Sequence, residues 1–191
     1  MLKKDAIDWY DYQSQKIKEE QGTNAHYLAF VHIPLPEFTE LANNGEFYGV
    51  REEQIACPNI NTGLFDHIKK NGDISGIFVG HDHKNNMAGW YEGVELVYGQ
   101  KSGYGAYGFE RGARAITLKE IYDGQSELRV SRSHYIIFEN ETIAIPTFPR
   151  RDDRGLIAAC PIYGKTKIQK ILGSFKRSFW GIKNWIKQMI A

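Results

Sequence analysis

Sulfur is scarce in this chain: among 191 residues there are two cysteines, Cys57 and Cys160, far apart in sequence. Such a pair fits a reduced compartment better than the disulfide framework of a small secreted domain. Long apolar runs are missing as well. No uncharged stretch approaches the ~18 residues that would predict a spanning helix. The start, Met1-Leu2-Lys3-Lys4-Asp5, leads into charged sequence instead of the apolar core of a secretory leader. Together these absences predict a cytoplasmic protein. There is no internal repeat, no low-complexity tract and no overall excess of one charge, with 24 Lys and Arg against 23 Asp and Glu.

What is present is a globular composition. Hydrophobic residues make up 42% and aromatics 13%, which argues against a disordered or fibrous chain. The length supports one core of ordinary size. The near-neutral charge conceals an asymmetry. From Lys165 onward there are seven Lys or Arg and no acid, so with +1 overall the first 164 residues carry about −6.

The apolar spacing of Ile7, Trp9, Tyr10 and Ile17 predicts an amphipathic helix over residues 4–20, closed by Gly22. Residues 26–33 read as a buried strand stopped by Pro34 and Pro36, and a long loop is predicted to follow. Residues 62–71 read as a short helix ended by Gly72, with a second apolar strand from Ile74 to Val79. This order is an α/β pattern with layered packing. Beyond Gly80 the text becomes Gly-rich and aromatic, with short alternating strands at 87–91, 94–98, 113–118 and 127–130, and a hairpin over 134–145 turning at Glu139-Asn140-Glu141.

The strongest chemical signal is Gly80-His81-Asp82-His83, directly after the strand ending at Val79. Imidazole is the commonest neutral nitrogen ligand for a borderline divalent metal, and the carboxyl edge of an open α/β sheet is where ligands gather. His32 sits at the end of the other apolar strand. If the two strands are neighbours, all three histidines emerge on one rim.

At these residues the sequence resembles the calcineurin-like metallophosphoesterases. His32-Ile33-Pro34 and Gly80-His81-Asp82-His83 are similar to the lone His and the Gly-His-x-His that end that family's motif series. Residues 29–37, 61–64, 79–83, 102–108 and 111–114 look like its purple-acid-phosphatase-like branch, and the similarity runs from about residue 5 to about 130. The resemblance implies a layered α/β/β/α sandwich, here its C-terminal half, over residues 1–132. A hairpin and charged connector (133–163) and a basic amphipathic helix (164–191) complete the expected organisation. It also implies a phosphate ester substrate, hydrolysed at two divalent or trivalent ions (Zn, Mn or Fe), with His32 and His81 ligating one ion and His83 the other.

The family's Asp-x-His, Gly-Asp-x-x-Asp and Gly-Asn-His motifs occur nowhere in the chain. Three neutral imidazoles offer no carboxylate to offset two dications, so the expectation is one ion or none, with the missing half supplied by a second chain, by further upstream sequence, or not at all. Asn86 stands where the branch often has Asp. Three other motifs carry little. Gly103-Tyr-Gly-Ala-Tyr-Gly108 matches a dinucleotide fingerprint but opens no helix, Cys57 and His67 form a weak nucleophile pair, and Asn140-Glu-Thr142 is a lone sequon.

In the tail, Ile168, Ile171, Leu172, Phe175, Phe179, Ile182, Ile186 and Met189 recur at helical spacing. Two readings stand: a helix in peripheral contact with anionic lipid, or a helix packed on the acidic body. No basic stripe extends into the body, so no nucleic-acid partner is expected.

Overall fold

Four short strands build the sheet that carries the histidines: β1 (Tyr27–Val31), β2 (Ile74–Val79), β3 (Ala88–Tyr91) and β4 (Val94–Tyr98), in the spatial order β1-β2-β4-β3. The computed structural model describes residues 3–22, 26–108, 110–122 and 128–144. The expected basic helix, and the connector beyond residue 144, lie outside them. β1, β2 and β4 run parallel, with Val31 beside Val79 and Val79 beside Tyr98. β3 joins β4 antiparallel through Glu92 and Gly93, both at positive φ (46° and 85°), as a two-residue turn between twisted strands requires.

Among the described residues three helices accompany the sheet. The first, α1 (Lys4–Gln21), has Asp5 in its first turn and Lys18 in its last, each favourable to the helix dipole. The third, α3 (Leu64–Asn71), is bracketed by Gly63 and Gly72 in the left-handed conformation. Between them lies α2 (Glu37–Asn44), within the segment expected to be a loop. The prolines read as a strand stop also serve the helix start, because Pro36 has a fixed φ of −54° and no N–H left unpaired at the first turn. Phe38, Leu41 and Ala42, at spacings of three and one, then bury one face of α2.

Strand alternation splits the core between the two faces of the sheet. Ile77, Val79, Leu96 and Tyr98 pack with Phe38, Leu41, Phe65 and Ile68 of the helices. Phe78, Ala88 and Val97 point to the other face, where Leu28 and Ile116 join them. Ile116 belongs to a second, three-stranded sheet, β5 (Gly112–Tyr122), β6 (Leu128–Phe138) and β7 (Ile143–Ala144). The two separate short strands expected at 113–118 and 127–130 are therefore the start and the other arm of one long hairpin, paired from Gly112 beside Phe138 to Tyr122 beside Leu128. The turn expected at 139–141 is present between β6 and β7.

One charged cluster is buried on that second face. Glu95 of β4 accepts from Arg132 Nη2 at 2.6 Å and pairs with His134 Nε2 at 2.8 Å. Arg114 Nη1 donates to His134 Nδ1 at 2.8 Å. Because a guanidinium can only donate, Nδ1 must accept, and His134 is assigned as the neutral Nε2–H tautomer. Burial pushes the Arg114 guanidinium down to about 10. The same Arg114 donates to the carbonyls of Tyr98 and Asn86, so it ties the hairpin to the loop that holds the histidines.

Candidate metal centre

β1 and β2 are adjacent and parallel, so the residues that follow them leave the sheet side by side. The amide of Gly80 donates to the carbonyl of His32 at 3.0 Å. The imidazoles of His32 and His81 lie with centroids 5.2 Å apart and planes 52° to one another. His81 has a positive φ of 74°, and Asp82 N–H bonds back to the Gly80 carbonyl at 2.9 Å. That combination is the strained form of the γ-turn, an uncommon conformation for a residue with a side chain, and it holds His81 at the apex.

Asp82 fixes the ring. Its Oδ1 lies 3.0 Å from His81 Nδ1; with the ring proton on Nδ1 facing that carboxylate, Nε2 of His81 keeps the lone pair that a metal ion would take. The other oxygen of Asp82 accepts from Tyr98 O–H at 2.5 Å and from the Ala56 amide at 3.0 Å. Burial, followed by the neighbouring Asp82 charge, drives the Tyr98 phenol well above its ordinary range, so it stays a proton donor to the carboxylate. The sequence signalled this acceptor only by placing Asp82 between the two histidines.

His83 is set apart from the pair. Its ring stacks at 4.5 Å on Tyr107, and its Nδ1 is buried without a hydrogen-bond partner. Tyr107 donates to Glu53 Oε2 at 2.9 Å, and Glu53 Oε1 accepts from the Lys84 amide at 2.6 Å. Gly108 passes so close that a Cβ there would meet the His83 carbonyl at 2.9 Å. Neither Glu53 nor Tyr107 was singled out from the sequence, although Tyr107 falls within the glycine-rich segment 103–108. An open cleft of about 480 Å³ lies beside His32 and is lined in part by Gly80, Ser102, Gly112 and Arg114.

Asn86 latches the loop. It exchanges backbone and side-chain bonds with Val50, at 2.9 and 2.8 Å, and donates to Gln100 at 3.0 Å. Gly49, at φ 79°, lets the two segments approach, since a Cβ there would stand 2.7 Å from the Asn86 carbonyl. The other sequence candidates separate. His67 pairs with Asp11 at 2.7 Å. Cys57 is buried and disulfide-bonded instead of a free thiol, which corrects the expectation of reduced cysteines and removes it as a nucleophile.

These residues do not fit a two-metal centre. Among the described residues no three His, Cys, Asp or Glu side chains converge on a common point. Asp82, the carboxylate that touches His81, is already engaged by Tyr98 and Ala56. What the geometry does offer is a two-imidazole pair, His32 and His81, with one ring held by a buried carboxylate. The carboxyl ends of parallel strands, where this pair stands, are where ligands gather in open α/β sheets.

The chain is 38% identical over 120 residues to "Probable inactive purple acid phosphatase 29" of Arabidopsis thaliana, covering 58% of this chain and 31% of the relative. It is 34% identical over 120 residues to "Probable inactive purple acid phosphatase 14" of the same plant, covering 59% of this chain and 30% of that one. No family model and no solved structure matches the chain. Over the shared segment the chain is related to the purple-acid-phosphatase-like metallophosphoesterases. It spans about a third of the length of these curated relatives.

Proposed function

We propose that this chain carries the histidine side of a metallophosphoesterase-type centre and does not hydrolyse phosphate esters by itself. The observation that carries the reading is the His32–His81 pair, with rings 5.2 Å apart across adjacent parallel strands and His81 held by buried Asp82. Two neutral imidazoles are a fair start for one zinc-like ion and an insufficient set for two. His83 is the third candidate ligand, and its unpartnered Nδ1 is available once a neighbouring segment completes the site. Helices on one face of the sheet and the β5–β6 hairpin on the other support the further reading that residues 1–132 form half of an α/β/β/α sandwich. A noncatalytic role is favoured by the relatives, whose names describe them as probably inactive.

The experiment is metal analysis of the dialysed chain together with hydrolysis of a chromogenic phosphomonoester. At most one ion per chain and no turnover are expected, and His81→Ala loses the ion while keeping its circular dichroism. Two ions per chain with robust turnover would overturn the proposal. For residues 164–191 we propose peripheral contact with anionic membrane, tested by vesicle co-sedimentation of the full chain and of a chain ending at residue 163. Equal sedimentation of the two would refute it.

A further inference from the structure

β1 has the composition of an interior strand and the position of an edge strand. Tyr27-Leu-Ala-Phe-Val31 is uncharged and apolar on both faces, the pattern of a parallel strand flanked by partners. It nevertheless pairs with β2 on one side and with no described strand on the other. Natural edges are blunted by Lys, Pro or an inward charge, and β1 has none of these; its one irregularity in register falls between Tyr27 and Leu28. Phe30 stacks on Phe78 and is still 66% exposed.

The helix beside it is equally underused. Of the 18 residues of α1 only Ile7 and Ser14 are buried, while Trp9 and Tyr12 stand exposed. α1 is anchored to α3 by Asp11, which bonds His67 and Asn71. Between α1 and β1 runs an apolar groove of about 340 Å³, floored by residues such as Ile7, Tyr10, Ile17, Leu28 and Ile74. Two hydroxyls from residues lining this groove, Ser14 Oγ and Tyr27 O–H, are buried with no hydrogen-bond partner. A buried hydroxyl left unbonded is costly, and native proteins seldom retain one without a reason.

We infer that the groove between α1 and β1 receives an extended apolar β-strand from the remainder of a metallophosphoesterase-type domain, which adds to the sheet beside β1. A helix or a small apolar molecule could fill the groove, but it would leave the free N–H and C=O groups of β1 unpaired. An added strand pairs them and brings side chains down onto the apolar floor. The source of the strand follows from length. The relatives devote about 30% of their chains to the segment they share with this one, so most of their length lies outside that segment and is long enough to supply such a strand. The inference takes its source from the metallophosphoesterase reading above, yet edge pairing is measured without metal or turnover, so failure of one is distinguishable from failure of the other.

The test co-expresses the full chain with the part of the 38%-identical Arabidopsis relative that lies outside the shared 120 residues, followed by hydrogen exchange of the complex. A one-to-one complex is expected, with the amides of residues 27–31 exchanging about tenfold or more slowly than in the free chain. Phe30→Lys should weaken the complex by about tenfold or more, the effect of losing one buried aromatic side chain, with the melting transition of the free chain unchanged. Trp9→Lys, on the helical wall of the groove, gives an independent variant should Phe30→Lys fail to fold. The inference is overturned by absence of a complex, or by a complex in which residues 27–31 exchange as in the free chain. It is equally overturned if the chain alone forms a dimer that Phe30→Lys dissolves, since the occupant is then a second copy. Protection of residues 27–31 in the free chain that disappears on truncation at residue 144 would assign the groove to the chain's own tail, and would also overturn it.

Discussion

Asp82 and Glu95 are both buried carboxylates, at 5% and 7% exposure, and they do different work. Asp82 orients an exposed ring, so its neutralisation should be felt at the rim. Asp82→Asn is expected to lower the zinc affinity of the His32–His81 pair about 10- to 100-fold, read by calorimetric titration, and to cost about 1–3 kcal/mol of stability through its disturbed bonds to Tyr98 and Ala56. Glu95 holds the hairpin to the sheet. Burial alone would raise its pKa, but the hydrogen bond from His134, and then the charge and hydrogen bonds of Arg132, hold it below its ordinary value of 4.5. A carboxyl whose folded value is depressed stabilises the fold above its unfolded value, and that stability is lost as pH falls through the lower folded value. Glu95→Gln leaves Arg132 buried without its counter-charge and is expected to cost about 3–5 kcal/mol near neutral pH. Urea melts across the acid range should show this gap narrowing below pH 4.5. An unchanged gap down to pH 3 would show that the ion pair is not its source.

At the scale of elements, α1 is joined to α3 through polar groups as well as through Ile7, which shares the apolar core with Leu64, Phe65 and Ile68. Asp11 accepts from Asn71 at 2.9 Å and lies 2.7 Å from His67 Nδ1. Burial would raise the Asp11 carboxyl, but the Asn71 bond and then His67 bring it below its ordinary 3.8. The His67 and Asp11 side chains are 36% and 33% exposed, so solvent screening keeps the contribution small. Asp11→Asn is expected to cost under about 1 kcal/mol, with the loss confined to pH above the folded carboxyl value, because below it the wild-type group is also neutral. Thermal melts at pH 7 and in acid check the sign. The weak tether is consistent with a helix whose apolar residues await a further strand.

Elements also show what was legible beforehand. The helix at 4–20 and the strand at 74–79 are readable because apolar runs and their stops lie close in sequence, whereas His32 and His81 meet only because β1 and β2 pair, and His83 stands apart from them on Tyr107. α2 is not readable in this way, since Pro34 and Pro36 announce a strand end and a helix start with the same residues, and only burial of Phe38 and Leu41 separates the two. Glu95 and His134, 39 positions apart, and Asp82 with Tyr98 meet through tertiary pairing that no local pattern encodes. Asn86 looked like a departure from a family residue; in the fold it is a latch to Val50 and Gln100.

For the whole molecule the question is whether metal belongs to the fold or only to its rim. The core on both faces of the sheet is made of apolar side chains and the Glu95 cluster, and none of His32, His81 or His83 is part of it. The side chain of His81 is 40% exposed. Binding to the folded state alone adds RT ln(1 + [L]/Kd), which at free metal tenfold above Kd is about 1.4 kcal/mol. In a domain of this size that corresponds to a shift of about 2–6 °C in the melting transition. The chain is therefore expected to remain folded after dialysis against EDTA, with a melting temperature lowered by no more than that amount and with the same circular dichroism. His81→Ala should abolish the EDTA effect while melting close to the stripped wild type. A collapse of the fold on chelation would mean that ions hold the sheet together, which two imidazoles at an exposed rim cannot do, and would require further ligands to converge there from outside the described residues.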